Sequence, residues 1–127
     1  MVMNSTIMAL ICVACGGALG AVTRYTTIRL VGTSFPWATF IVNIVGCTLA
    51  SFIAFRFTGL SQLTKSFLVI GFMGALTTMS TFTTDTMMML DDGRYGTMVF
   101  NILLNVGICL IGAIAGRHVA LLLTAPV

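Results

Sequence analysis

The chain has 127 residues, 58% of them hydrophobic and 7% charged, against roughly 25% charged in an ordinary soluble domain. Six basic and three acidic residues, with no Glu among them, cannot clothe a water-exposed surface, so the solvent for most of the chain is lipid. The net charge of +3 is spread over single residues and leaves no footprint for nucleic acid.

The charges divide the chain into four uncharged runs, Met1 to Thr23, Leu30 to Phe55, Ser66 to Thr84 and Tyr95 to Gly116, of 23, 26, 19 and 22 residues. A helix needs about 20 apolar residues to cross a bilayer, so each run can span it. The runs lack the strict alternation of a barrel strand. The expectation is an all-α membrane protein forming a single transmembrane domain over 1–127, with helices at about 4–31, 36–57, 64–90 and 95–123. Turn compositions join them at Gly32-Thr33-Ser34-Phe35-Pro36, at Gly59-Leu60-Ser61-Gln62 and at Asp91-Asp92-Gly93-Arg94. The first run has no Lys/Arg start and completes the count of four, so it reads as a retained span rather than a cleaved signal.

Four crossings put Arg56, Lys65 and Arg117 at one membrane face and Arg24, Arg29 and Arg94 at the other, a tie that gives the positive-inside rule nothing to act on. One reading is an orientation set by something other than charge. The other is dual topology, with inverted copies pairing about a two-fold axis in the membrane plane. Gly16 with Gly20, and Gly112 with Gly116, are spaced for close helix packing within or between subunits.

Polar residues inside apolar runs are costly and therefore informative. Arg24 ends the first run, where it either snorkels to the interface or serves the interior. Asn43 sits in the middle of Thr39-Phe40-Ile41-Val42-Asn43-Ile44-Val45-Gly46, where its amide needs a partner on another helix or in a polar pathway. The third run carries six hydroxyl residues among the nine from Thr77 to Asp85, preceded by Gly71 and Gly74. Hydroxyls redirect backbone hydrogen bonds, so either a mid-membrane break or an intact decorated helix fits this stretch. Asn101 and Asn105 lie one turn apart on the fourth run, with Cys109 and Ala113 continuing the stripe as a pore wall or an interhelical ladder. Cys12 and Cys15 form a C-x-x-C without a second pair, which leaves no tetrahedral metal set. His118 beside Arg117 reads as interfacial. Paired carboxylates and a Ser-His-Asp set are both missing, so an enzyme is disfavoured.

The motifs Gly16-Gly-Ala-Leu-Gly-Ala-Val-Thr-Arg24-Tyr25, Thr39-Phe-Ile-Val-Asn43-Ile-Val-Gly46 and Gly71-Phe-Met-Gly74-Ala-Leu-Thr77-Thr-Met-Ser-Thr-Phe82-Thr-Thr-Asp85 resemble those of the fluoride-specific ion channel family (Fluc, also called CrcB) in order and spacing. The resemblance implies an antiparallel dual-topology homodimer in the cell membrane, most simply a prokaryotic inner membrane, that exports fluoride passively through two pores at the subunit seam. It implies a structural sodium ion on the two-fold axis, held by the backbone carbonyls of Gly74 and Thr77 at a break in the third helix. It places the pore asparagine at Asn43 and a pore phenylalanine at Phe82. Ser80, Thr81 and Asn105 then join the pathway as donors. Arg24, Thr39 and Asp85 take structural or vestibule positions. The partners implied are a second copy, the fluoride ion and membrane lipid, with no nucleic acid.

Two departures stand out: Met79 occupies a position that is Phe in the family, and Ala75 one that is usually Gly. Cys109 and Ala113 fall where the family often has hydroxyls. Two other classes stay open on the residues alone. A small dual-topology cation/proton antiporter needs a membrane carboxylate, usually Glu in its first helix, which this chain lacks. A non-transporting assembly subunit would have no need of Asn43 or the hydroxyl-rich run.

Overall fold

The computed structural model describes residues 2–32 and 35–123, and Thr33 and Ser34 of the first expected turn lie outside them. The described chain is helical throughout: α1 (Val2–Val31), α2 (Trp37–Arg56), α3 (residues 62–76), α4 (Met79–Asp91) and α5 (Tyr95–Leu122). Together α3 and α4 form one span, Gln62–Asp91, so four helical spans are long and apolar enough to cross a membrane. This span begins two residues earlier than its sequence suggests, because Ser61 Oγ accepts the Thr64 N–H at 3.2 Å and caps it. Gly32 (φ 87°) and Gly93 (φ 69°) close α1 and the α4–α5 turn in the left-handed region that side chains avoid.

Packing is between pairs. α1 lies mainly along α3, α2 along the second half of α5, and α4 along the first half of α5. The glycines set both principal contacts. A Cβ on Gly16 would collide with the Phe67 carbonyl, and one on Gly20 with the Phe72 carbonyl, so α1 rests directly on the α3 backbone. Gly71 answers from the other side, where a Cβ would come within 2.7 Å of the Val13 carbonyl oxygen. On α5 a Cβ on Gly116 would collide with the Thr48 carbonyl of α2, and one on Gly112 would come within 2.6 Å of the Thr48 hydroxyl. Both small-residue stripes are therefore spent inside one copy.

The chain is partly inside out. Large apolar residues such as Leu10, Val22, Leu30, Leu103 and Leu110 face outward, while Thr39, Asn43, Ser66, Thr78, Asn101 and Asn105 are buried. Lipid inverts the usual preference, since an outward leucine costs nothing there and an amide must turn inward to find a partner. Among the described residues every buried side-chain nitrogen and oxygen has one. Residues 66–73 and 103–108 form wider, π-helical turns, a geometry that recurs beside functional sites.

Candidate functional site: a braced break at the centre of the third span

Residues 77 and 78 lie at the centre of the 30-residue span Gln62–Asp91, and there the helix stops. Thr77 (φ −75°, ψ 152°) and Thr78 (φ −147°, ψ 114°) are extended, and α4 restarts at Met79. Unpaired backbone at this depth survives only when protein satisfies it. Asn43 does most of that work. Its Oδ1 accepts the Thr78 N–H at 2.8 Å, and its Nδ2 donates to the Thr78 carbonyl at 3.2 Å. Thr78 in turn caps α4, its Oγ1 accepting the Thr81 N–H at 3.1 Å and lying 3.2 Å from Ser80 Oγ and 3.0 Å from Thr81 Oγ1.

These bonds free particular carbonyls. In a continuous helix the Thr78 N–H would go to the Gly74 carbonyl and the Thr81 N–H to the Thr77 carbonyl. Here the first goes to Asn43 and the second to the Thr78 hydroxyl. Arg24 reaches the Thr77 carbonyl from α1, with Nη1 at 3.5 Å. It is half-buried and engaged with the break, so the snorkelling reading gives way to the interior one.

The stripe on α5 is an interhelical ladder. Asn43 Nδ2 also donates to Asn105 Oδ1 at 2.9 Å; Asn105 Nδ2 donates to Asn101 Oδ1 at 2.9 Å and to the Asn101 carbonyl at 3.2 Å. Asn101 Nδ2 donates to Thr86 Oγ1 at 3.0 Å. Cys109 is buried one turn beyond Asn105, with Cys47 of α2 as its side-chain neighbour, and Ala113 adds no donor. Asn101 takes the ladder role open to it from the sequence, while Thr78 and Thr86 are members that sequence reasoning left without a role. The four-residue step from Asn105 to Asn101 was the available signal, whereas nothing local marks Thr86 among so many threonines.

The remaining residues divide between two regions. Met79 is 68% exposed and Ser80, Thr83 and Thr84 are exposed with it, a partly hydroxyl face at the start of α4. Phe82 is buried behind that face. Thr39, Thr81 and Asp85 line a cavity of about 260 Å³ at the Arg94 end of the bundle, with Phe35, Asp92 and Arg94 at its rim. Thr39 Oγ1 donates to Asp85 Oδ2 at 3.1 Å. Phe35 packs in a tilted arrangement against Trp37 and Phe100, with ring centroids at 4.6 and 5.7 Å, and ties this rim to α5. No cluster of three or more His, Cys, Asp or Glu exists among the described residues, so side chains of those types offer no metal set there.

Known proteins resemble this chain over most of its length. The family described as "CrcB-like protein, Camphor Resistance (CrcB)" matches residues 11–117. A protein of Geobacter sulfurreducens named fluoride-specific ion channel FluC is 40% identical over 119 residues, covering 88% of this chain and 94% of the relative. A Sulfurihydrogenibium protein of the same name is 37% identical over 118 residues, covering 87% and 95%, and one of Shewanella pealeana is 38% identical over 113, covering 84% and 90%. These relatives are named as channels, not enzymes. With a family match across most of its length and four membrane-capable spans, this chain is a multi-pass protein of the cell membrane and belongs to the CrcB-like family.

Proposed function

We propose that the protein is a fluoride channel that lets the ion leave the cell passively, through pores at the seam of an antiparallel homodimer. The observation that carries this is the break at Thr77–Thr78, fixed at mid-membrane by Asn43, in a chain 40% identical to a relative named for fluoride conduction. Fluoride gives up its water only for closely spaced donors, and α4 offers them. Its first N–H groups lie at a helix N-terminus, where the partial positive charge favours an anion, and the hydroxyls of Ser80 and Thr81 stand beside them. Phe82 can present its positive ring edge. Asn43 and Asn105 hold the frame, and Asn43 joins the path when an ion draws its amide away from Thr78.

A second copy accounts for the exposed face. Met79, Ser80, Thr83 and Thr84 form a surface poorly suited to lipid, and both glycine stripes are already used within the monomer. An inverted partner laid on this face encloses the polar atoms and supplies the corridor that four closely packed helices lack. The Gly74 and Thr77 carbonyls, freed from helical pairing, are hard oxygen ligands suited to a sodium ion on the two-fold axis. There the ion would supply fixed positive charge beside the anion path, and this chain's part is to keep both carbonyls out of helical pairing through Asn43 and Thr78, with Arg24 Nη1 3.5 Å from the Thr77 oxygen.

Efflux from liposomes tests the reading. Purified protein should release fluoride, measured with an electrode, only when valinomycin carries compensating potassium, and should not release chloride comparably. Proton-coupled uptake of a lipophilic cation would point to an antiporter instead. Silence in both assays would leave a non-transporting subunit.

A further inference from the structure

Asn101 is 0% exposed and is the largest fully buried side chain among the described residues. An amide buried that deeply is costly unless each polar atom is matched, and Asn101 is matched at both its Oδ1 and its Nδ2. The bonds form one directed series. The Thr78 N–H donates to Asn43, Asn43 to Asn105, Asn105 to Asn101, Asn101 to Thr86, and Thr86 Oγ1 to the Phe82 carbonyl at 2.6 Å. Every donor faces the same way along the series, so each bond polarises the next. Both ends are main-chain atoms of the same stretch, Thr78 and Phe82, one before the first turn of α4 and one within it. The series leaves that stretch through α2, crosses α5 and returns.

We infer that Asn101 is a positioning residue for the break. It holds the Asn105 amide so that Oδ1 faces Asn43, and this keeps Asn43 Oδ1 on the Thr78 N–H, which is thereby withheld from the Gly74 carbonyl. Asn101 acts through two other side chains and touches no ion. Its effect on transport rests on the channel reading above, whereas its effect on the Thr78 amide does not.

The experiment uses the full-length protein in lipid nanodiscs and liposomes, with Asn101→Leu, which keeps the branching of the side chain, is bulkier and has no polar atoms. Residue-resolved hydrogen exchange at Thr78 should accelerate about tenfold, the loss expected when one buried hydrogen bond is released. Exchange along Gly16–Gly20 should stay unchanged, and fluoride efflux should fall about tenfold. In an Asn43→Ala background Asn101→Leu should change Thr78 exchange by less than about twofold, because the series is already cut. An unchanged Thr78 amide overturns the inference. So does lost efflux with Thr78 still protected, which would make Asn101 an ion contact. If the wild type carries no fluoride, the channel reading fails while the exchange result still decides this one. Should Asn101→Leu not fold, Thr86→Val removes the acceptor of Asn101 together with the donor to the Phe82 carbonyl and should speed Thr78 exchange by about threefold; no change there overturns the inference equally.

Discussion

Asn43 holds Thr78 as one strand of a sheet holds another, taking its N–H at 2.8 Å and giving to its carbonyl at 3.2 Å, although the two residues are 35 positions apart. One side chain thus supplies the pairing that a break in a membrane helix would otherwise lack. It leaves the carbonyls of Gly74 and Thr77 unclaimed by helical donors.

Asn43→Asp keeps the acceptor for the Thr78 N–H and removes both donors. The Thr78 carbonyl and Asn105 Oδ1 then face a carboxylate, and a negative charge stands in the proposed anion path. Fluoride efflux should fall at least about tenfold. Wild-type flux from this variant in liposomes would remove Asn43 from both the brace and the path.

Met79→Phe should be tolerated. The side chain is 68% exposed in one copy, so a ring meets no wall within the monomer and restores an edge that thioether carbon and sulfur lack. Efflux is expected to stay level or rise by up to about threefold, within the energy of one aromatic contact. A collapse of transport in a folded variant would mean that this face is arranged differently.

Asp85 lines the cavity at the Arg94 end, and Thr39 orients it at 3.1 Å. Asp85→Asn retains an acceptor for Thr39 and removes one negative charge from this cavity, which the channel proposal makes a vestibule. Fluoride flux at low ionic strength should rise about two- to fivefold, with the difference fading as salt screens it. A variant slower than wild type at every salt concentration would show that the carboxylate serves conduction directly.

Gly20→Ala should destabilise the protein by about 1–3 kcal/mol, since the new methyl meets the Phe72 carbonyl and lies 3.1 Å from the Leu76 amide nitrogen, and backbone cannot rotate aside. Gly17→Ala is the control, because its Cβ would meet only the Gly71 carbonyl oxygen at 4.0 Å. Thermal melting in detergent measures both. Equal melting temperatures would show that α1 and α3 separate freely.

Single residues announced much of this architecture. The four uncharged runs specified the spans because a bilayer admits few alternatives to a helix of that length. The threonines after Leu76 left two options, a broken or a continuous helix, because a hydroxyl that recaptures a backbone N–H stabilises an interruption only if something holds the neighbouring peptide. That something is on α2. The stripe through Asn101 and Asn105 was visible for the same reason that the spans were, a fixed helical period, but not what it joined.

Amide-bearing and hydroxyl-bearing side chains stranded in hydrocarbon were thus determined by the sequence alone, as was their need for partners. Only the tertiary structure decided the pairings: Asn43 with Thr78 and Asn105, Arg24 with the Thr77 carbonyl, and Asn101 with Thr86. The physical reason is that desolvation penalises each polar group locally, wherever it sits in the chain. The bond that offsets the penalty depends on helices brought together by glycines many residues away.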